Sequence, residues 1–314
     1  MKYILGFDGG ATKTEIRITD NTGLVFSEIT AGSVNYKSVG LKNAKAEIIK
    51  GILSAIENIK INNRVFFVSS CFGIAGLDNQ EDLQKYREIL NDKLIKSYFD
   101  FNNLTLCNDS KIAFTAGSNN KFGIVINCGT GCVCYGVNKA GYEAISNVWD
   151  YILGDEGSGY SIGLRGLKAI MRAYDGRGKS TLLREKIFEF LKIKDELELF
   201  KWVYKNSPIK HRIAKFSRLV FECAKTGDEI CLNILRSEAW EAAISVIAVM
   251  KKLDLKNKSF DLVLTGSVFD PIYTEAFEKI LIKENDRINF IKLKEKPVSG
   301  AIKIAINNLK LTEK

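Results

Sequence analysis

The chain has 314 residues, 46% of them apolar and 26% charged, with a formal net charge of +9. That length allows two domains of ordinary size, and the longest strongly apolar stretch, around Ala242 to Met250, is too short to span a bilayer, so the expectation is a soluble, cytoplasmic protein without a membrane partner. Seven scattered cysteines and a single histidine, His211, argue against a disulfide framework and a zinc site, and lysines interleaved with acids read as a solvated face rather than a nucleic-acid surface.

In chain order, strands are predicted at about 3–7, 14–19 and 24–30, the last two joined by the turn Asp20-Asn21-Thr22-Gly23. A helix at 39–60 carries Ile48, Ile49, Ile52, Leu53, Ile56 and Ile59 on one stripe. A strand at 64–72, a helix at 80–97, a short strand at 104–107 and a helix at 110–117 complete the order βββαβαβα. The second half starts alike, with strands at 122–128, 132–138 and 142–147 and a long helix from about 157. After further helices through 254 come a strand at 260–265, a helix at 270–283, a strand at 288–292 and a helix at 298–309. With the helices of 176–254 set aside as an insertion, βββαβαβα recurs. The expected architecture is α/β, two similar domains (1–117 and 118–314) facing each other across a cleft, with the last helix free to pack back on the first domain.

Each half joins its first two strands by a glycine turn. In the first, Phe7-Asp8-Gly9-Gly10-Ala11-Thr12-Lys13-Thr14 runs from strand to strand with no helix after the glycines. Backbone N–H groups of a tight hairpin must therefore do any phosphate cradling, unlike a P-loop. Asp8 ends a buried strand, a costly place for a carboxylate unless it is paired or faces a metal. It is a candidate Mg²⁺ ligand, with Gly9 and Gly10 approaching phosphates and Thr12, Lys13 and Thr14 as donors; an ordinary Asp-Gly hairpin is the plainer reading. In the second half Gly129, Thr130 and Gly131 offer consecutive N–H groups between apolar strands. Two such hairpins facing one cleft would clamp a nucleotide.

Asp109 follows a strand and opens a helix, so it is either an N-cap or, at a strand end facing the cleft, a general base for an attacking hydroxyl. Gly154-Asp155-Glu156-Gly157-Ser158-Gly159 precedes the long helix; its acids suit a helix start, yet three glycines in six residues mark a close backbone approach. Asp155 is a candidate for sugar hydroxyls and Glu156 for support of Asp155 or of the metal. Thr265-Gly266-Ser267-Val268 ends a strand, where α/β folds bind ligands, and could lie beside a nucleotide base. Asn35 lies in the loop Ala31 to Tyr36.

Taken together, Phe7 to Thr14, Ser33-Val34-Asn35, Asn108-Asp109, Gly129-Thr130-Gly131, Trp149 to Gly159 and Thr265 to Val268 resemble the N-acetylglucosamine kinases of the BadF/BadG/BcrA/BcrD ATPase group, within the actin, Hsp70 and hexokinase superfamily. The resemblance implies two actin-like (ribonuclease H-like) domains and phosphoryl transfer from MgATP to an amino-sugar hydroxyl, that on C6. It implies Asp109 as the base, Asn35 and Asp155 holding the sugar with Trp149 beside it, Thr12, Gly129 and Thr130 at phosphates, Gly266 and Ser267 flanking the nucleoside, and a homodimer.

Two departures stand out. Ala11 replaces a third glycine of the family, and Asn147, Val148 and Asp150 replace glycines around the tryptophan that shape the sugar pocket in relatives. N-acetylmuramic acid and glucosamine thereby join N-acetylglucosamine as candidate substrates. The competing function within the superfamily is an ATPase activator of a hydroxyacyl-CoA dehydratase or benzoyl-CoA reductase, which would need well-placed cysteines for an iron–sulfur cluster. A sugar-responsive repressor would need a helix-turn-helix before the first strand.

Overall fold

The computed structural model describes residues 2–10, 12–59, 65–205 and 210–312. They form two compact units, Met1–Lys121 with Ile291–Lys314, and Phe122–Phe290. Ala11 and Arg64, which the sequence reading touched, lie outside the described residues.

The first unit is built on strands β1 (Tyr3–Gly9), β2 (Thr14–Thr19) and β3 (Val25–Ala31), helices α1 (Tyr36–Val39) and α2 (Leu41–Glu57), strand β4 (Phe67–Ile74), helix α3 (Gln80–Leu90), strand β5 (Leu104–Asn108) and helix α4 (Asp109–Gly117). Its sheet runs β3-β2-β1-β4-β5. The first three strands pair antiparallel, while β4 and β5 run parallel to β1. The carboxyl ends of β1, β4 and β5 therefore share one edge, the edge where α/β sheets bind ligands.

Side chains alternate across β1. Tyr3, Leu5 and Phe7 enter a core with Ile48 and Ile52 of α2, and Ile4 enters a second core on the opposite face with Ile112 of α4 and Ala301 and Ala305 of the final helix. Asp8 shares the parity of Ile4, so it points to the face that carries α4. Two glycines let these helices close: a methyl at Gly73 would overlap the Ile112 side chain, and one at Gly300 would overlap the Ile112 carbonyl.

The second unit repeats the plan with β6 (Gly123–Cys128), β7 (Cys132–Val137), β8 (Glu143–Ser146), α5 (Asp150–Leu153), α6 (Gly159–Tyr174), α7 (Leu183–Leu191), α8 (Glu196–Tyr204), α9 (Lys210–Ala214), α10 (Ser217–Lys225), α11 (Glu229–Lys252), β9 (Phe260–Thr265), α12 (Pro271–Glu284) and β10 (Ile288–Lys292). The sheet order β10-β9-β6-β7-β8 is the first unit's order read from the other edge, with β7 antiparallel and β9 parallel to β6. The internal repeat is thus visible in topology and strand direction. One large core joins β6 and β7 to α6, α10, α11 and α12.

Several boundaries differ from expectation. Gly40, at φ +81°, separates α1 from α2, so the helix expected from 39 starts at Leu41 and ends at Glu57. The helix expected to reach 97 ends at Leu90, and Asp92 turns the chain by accepting from Leu94 N at 2.9 Å. The final helix, α13 (Val298–Thr312), packs on β1, β4 and α4 and so belongs to the first unit, a place the sequence reading left open for it.

Candidate active site

In the first unit, register sets Asp8 opposite Glu15 on β2 and Gly73 on β4, and Gly9 opposite Thr14. Gly9 is bare because a methyl there would meet Val34 Cγ2 at 2.6 Å. Gly10 N donates to Lys13 O at 3.0 Å and closes the turn. Thr12 and Lys13 are exposed, and Lys13 Nζ lies 2.7 Å from Glu15 Oε1. Thr14 is fully buried and its hydroxyl donates to Gly32 O at 2.7 Å, so this predicted phosphate donor instead ties the hairpin to the loop before Asn35.

The other strand ends bring further predicted residues to the same edge. Asn108, not Asp109, is the N-cap of α4, accepting from Ser110 N at 2.9 Å. Asp109 is the first helical residue, so capping does not consume its carboxylate. Burial pushes the Asp109 carboxyl up to about 6, with Asp78 adding to the rise and N–H donors of Ser110 and Asp109 opposing it. Asp8 is pushed up to about 7, chiefly by burial, then by the charges of Asp109 and Glu15, with Lys13 opposing. Asp109 titrates first, and its charge then resists ionisation of Asp8. Two carboxyls held up by burial and by neighbouring negative charge fit a divalent cation, which would relieve both causes.

Asn35 caps α1 by accepting from Lys37 N at 3.0 Å. Its amide packs against Gly76, where a methyl would sit 2.8 Å from Asn35 Oδ1. Asn108 Nδ2 reaches Asp78 Oδ1 at 3.2 Å, and Asp78 in turn pairs with Lys37 at 2.9 Å. Gly76 and Asp78 escaped sequence reasoning; the signal was the glycine just past the end of β4, at φ +84°.

In the second unit the hairpin Gly129-Thr130-Gly131 is pinned from behind. Gly159 N and Tyr160 N, at the start of α6, donate to Gly129 O (2.8 Å) and Thr130 O (3.2 Å). Gly129 N closes on Gly131 O at 2.9 Å. With the carbonyls so engaged, the N–H groups of Thr130 and Gly131 find no acceptor among the described residues and are the hairpin's free donors for an anion. Gly266 lies directly behind: at φ +99°, a methyl on it would overlap Cys128 O. Ser267 beside it is exposed, and Val268 N donates to Cys128 O at 3.0 Å.

The segment 147–159 uses its glycines within the unit. Gly154 abuts Asn147, Gly157 abuts Ala242 and Tyr273, and Gly159 abuts Gly129. Asp155 is buried, and its Oδ1 accepts from Cys132 N at 2.9 Å while Oδ2 lies 2.5 Å from Lys210 Nζ. Glu156 is exposed and Trp149 is 68% exposed, so both face solvent in this unit. Asn147 at φ 60° and Asp150 at φ 58° adopt a backbone conformation that favours glycine. The Asn147 side chain anchors that conformation by accepting from Asp155 N at 2.7 Å and donating to Glu156 O at 2.8 Å.

A buried carboxylate the sequence did not reveal supports this segment. Glu238 on α11 accepts from Gly157 N (2.6 Å) and Ser161 Oγ (2.8 Å) and pairs with Arg165. Tyr273 donates to Gly157 O at 2.8 Å. An acid in the middle of an apolar helix was the available signal.

The sequence model of the BadF/BadG/BcrA/BcrD ATPase family matches residues 5–305. The chain belongs to this family. The family assignment agrees with the actin-like repeat of both units. An N-acetylmuramic acid/N-acetylglucosamine kinase of Clostridium acetobutylicum is 34% identical over 308 residues, covering 97% of this chain and 98% of that protein. An N-acetyl-D-glucosamine kinase of Dictyostelium discoideum is 34% identical over 321 residues, covering 98% and 99%. A Chromobacterium violaceum structure, provisionally named an N-acetylglucosamine kinase, shares the fold with a TM-score of 0.76 at 19% identity, covering 97% of this chain and 99% of its own. All seven cysteines are buried free thiols.

Proposed function

We propose that this protein transfers the γ-phosphoryl group of ATP to a hydroxyl, that on C6, of an amino sugar: N-acetylglucosamine or a relative such as N-acetylmuramic acid or glucosamine. The observation that carries the reading is the pair Asp8 and Asp109, two carboxyls at the ligand-binding edge of the first sheet, raised to about 7 and about 6. Near full-length similarity to two amino-sugar kinases supports the substrate class.

In this reading Asp109 is the general base. At neutral pH it is largely ionised and accepts the proton of the attacking hydroxyl. Asn35 and Asp155 orient the sugar, with Glu156 and Trp149 at its margin. Asp8 would hold Mg²⁺, directly or through water, and the metal would supply neutralisation of phosphate charge. Gly9, Gly10, Thr12 and Lys13 serve the phosphates from the first unit, and Gly129, Thr130 and Gly131 offer N–H donors from the second. Gly266 and Ser267 meet the nucleoside. Thr14 serves by holding the first hairpin. A cytoplasmic homodimer is part of the proposal.

The activator alternative lacks an exposed cysteine to hold a shared cluster. An ATP-coupled assay across glucosamine, N-acetylglucosamine, N-acetylmuramic acid, N-acetylmannosamine and glucose tests the reading. Turnover on an N-acetylated or free amino sugar is expected, and turnover on none of the five would overturn it.

A further inference from the structure

We infer that Lys210, on α9 within the helical insertion, is a positioning residue for the Gly129–Gly131 hairpin, acting through Asp155. The inference rests on the kinase reading for its consequence but not for its geometry. Lys210 Nζ lies 2.5 Å from both Asp155 Oδ2 and Asp150 Oδ1 and 5.9 Å from the centre of the Tyr151 ring. Burial works against its charge, yet the hydrogen bond to Asp150 and the ion pair with Asp155 outweigh it and hold the ammonium above the usual lysine range.

Asp155 is where the lysine's charge becomes hairpin geometry. Its side chain is 7% exposed and its backbone sits at φ 64°, a conformation kept by Asn147. One carboxylate oxygen faces the ammonium and the other accepts from Cys132 N, the residue that closes the hairpin. Gly131 is bare because a methyl there would stand 2.5 Å from Asp155 Oδ1. Carboxylate and hairpin therefore fit only in one arrangement. Without a cation at Lys210, the buried carboxylate would be uncompensated and would have to protonate or turn outward. Either outcome weakens the bond to Cys132 N and loosens the peptides that aim Thr130 N and Gly131 N.

The helix that carries the lysine is itself held closely. Gly163 on α6 meets α9 backbone to backbone, where a methyl would overlap the Ile213 carbonyl, and Gly159, one turn earlier, lies near Ala214 O and Ser217 Oγ. The insertion thus places one cation at a defined point behind the hairpin.

Lys210→Met, which removes the charge, and Lys210→Arg, which keeps it, test the inference by three readouts: hydrogen exchange at the Cys132 amide, ATP affinity by calorimetry, and kcat and KM on the sugar turned over by the wild type. Lys210→Met is expected to speed Cys132 exchange and weaken ATP binding each by about tenfold or more, and to raise the KM for sugar too, because Asp155 also orients the sugar in the kinase reading. Lys210→Arg is expected to restore ATP affinity to within about threefold. Lys210→Gln substitutes where the Met variant does not fold. A folded Met or Gln variant with wild-type Cys132 exchange and ATP affinity would overturn the inference, even if its melting temperature had fallen. Should the wild type phosphorylate none of the sugars, the kinase reading falls, while Cys132 exchange still decides the role of Lys210.

Discussion

Replacing Asp8 by Asn should make the nucleotide-free protein more stable, and increasingly so as pH rises. Folding moves the Asp8 carboxyl from 3.8 to about 7, chiefly through burial. The folded state therefore holds this proton more tightly than the unfolded chain does. Between those two values the unfolded state has lost the proton and the folded state has not, so wild-type stability falls as pH rises. Below about 4 this loss of stability vanishes, and above about 7 it is complete. A rise of about three pH units at about 1.4 kcal/mol each gives a total near 4 kcal/mol. About 1.5 kcal/mol of it is spent by pH 5. Asn cannot ionise, so the stability difference between variant and wild type should favour the variant by about 3 kcal/mol more at pH 8 than at pH 5.

Urea unfolding of both proteins at several pH values without nucleotide measures this, followed by far-UV circular dichroism. All three tryptophans, Trp149, Trp202 and Trp240, lie in the second unit, so their fluorescence reports that unit separately. The gain should appear in the transition of the first unit. A stability difference that does not change with pH would refute the reasoning, because it would mean that Asp8 ionises in the folded state as freely as in water.

Asp109→Asn should lower kcat on the amino sugar by a factor of about 10² to 10⁴, with ATP affinity by calorimetry within about threefold of wild type; full activity would remove the base assignment. For the wild type, kcat/KM should fall as pH drops through about 6, where Asp109 gains its proton, and a profile flat from pH 5 to 8 would contradict that. Gly300→Ala should cost about 1–3 kcal/mol through overpacking of α13 against the Ile112 carbonyl, measured by urea unfolding. Tyr273→Phe should cost about 1 kcal/mol by leaving the Gly157 carbonyl short of a donor, with an unchanged midpoint counting against the role assigned to that bond.

The strands and the two glycine hairpins were readable from the sequence because apolar alternation and turn chemistry are local signals. The repeat followed from element order alone, and the sheet orders of both units carry it. What local signals mislead on is the use of a polar side chain. Thr14 looks like a phosphate donor beside glycines, but strand parity buries it against Gly32. Asp109 looks like an N-cap, and its neighbour Asn108 fills that place instead. The glycines of 154–159 signalled close approach correctly, yet the approaching groups come from this chain's own Asn147, Ala242 and Gly129. Glu238 and Lys210 were out of reach for a simpler reason: each acts on residues more than 50 positions away. No pattern within a window of sequence pairs them.

The central claim is that Asp109 takes a proton from a sugar hydroxyl that then receives the γ-phosphoryl group. Incubation with MgATP and N-acetylglucosamine or the sugar preferred in the panel, followed by ³¹P and ¹³C NMR of the product, tests it most directly. The account predicts a phosphomonoester on C6 with the wild type and none above background with Asp109→Asn. Free phosphate without any sugar ester, or equal ester formation by the variant, would contradict it.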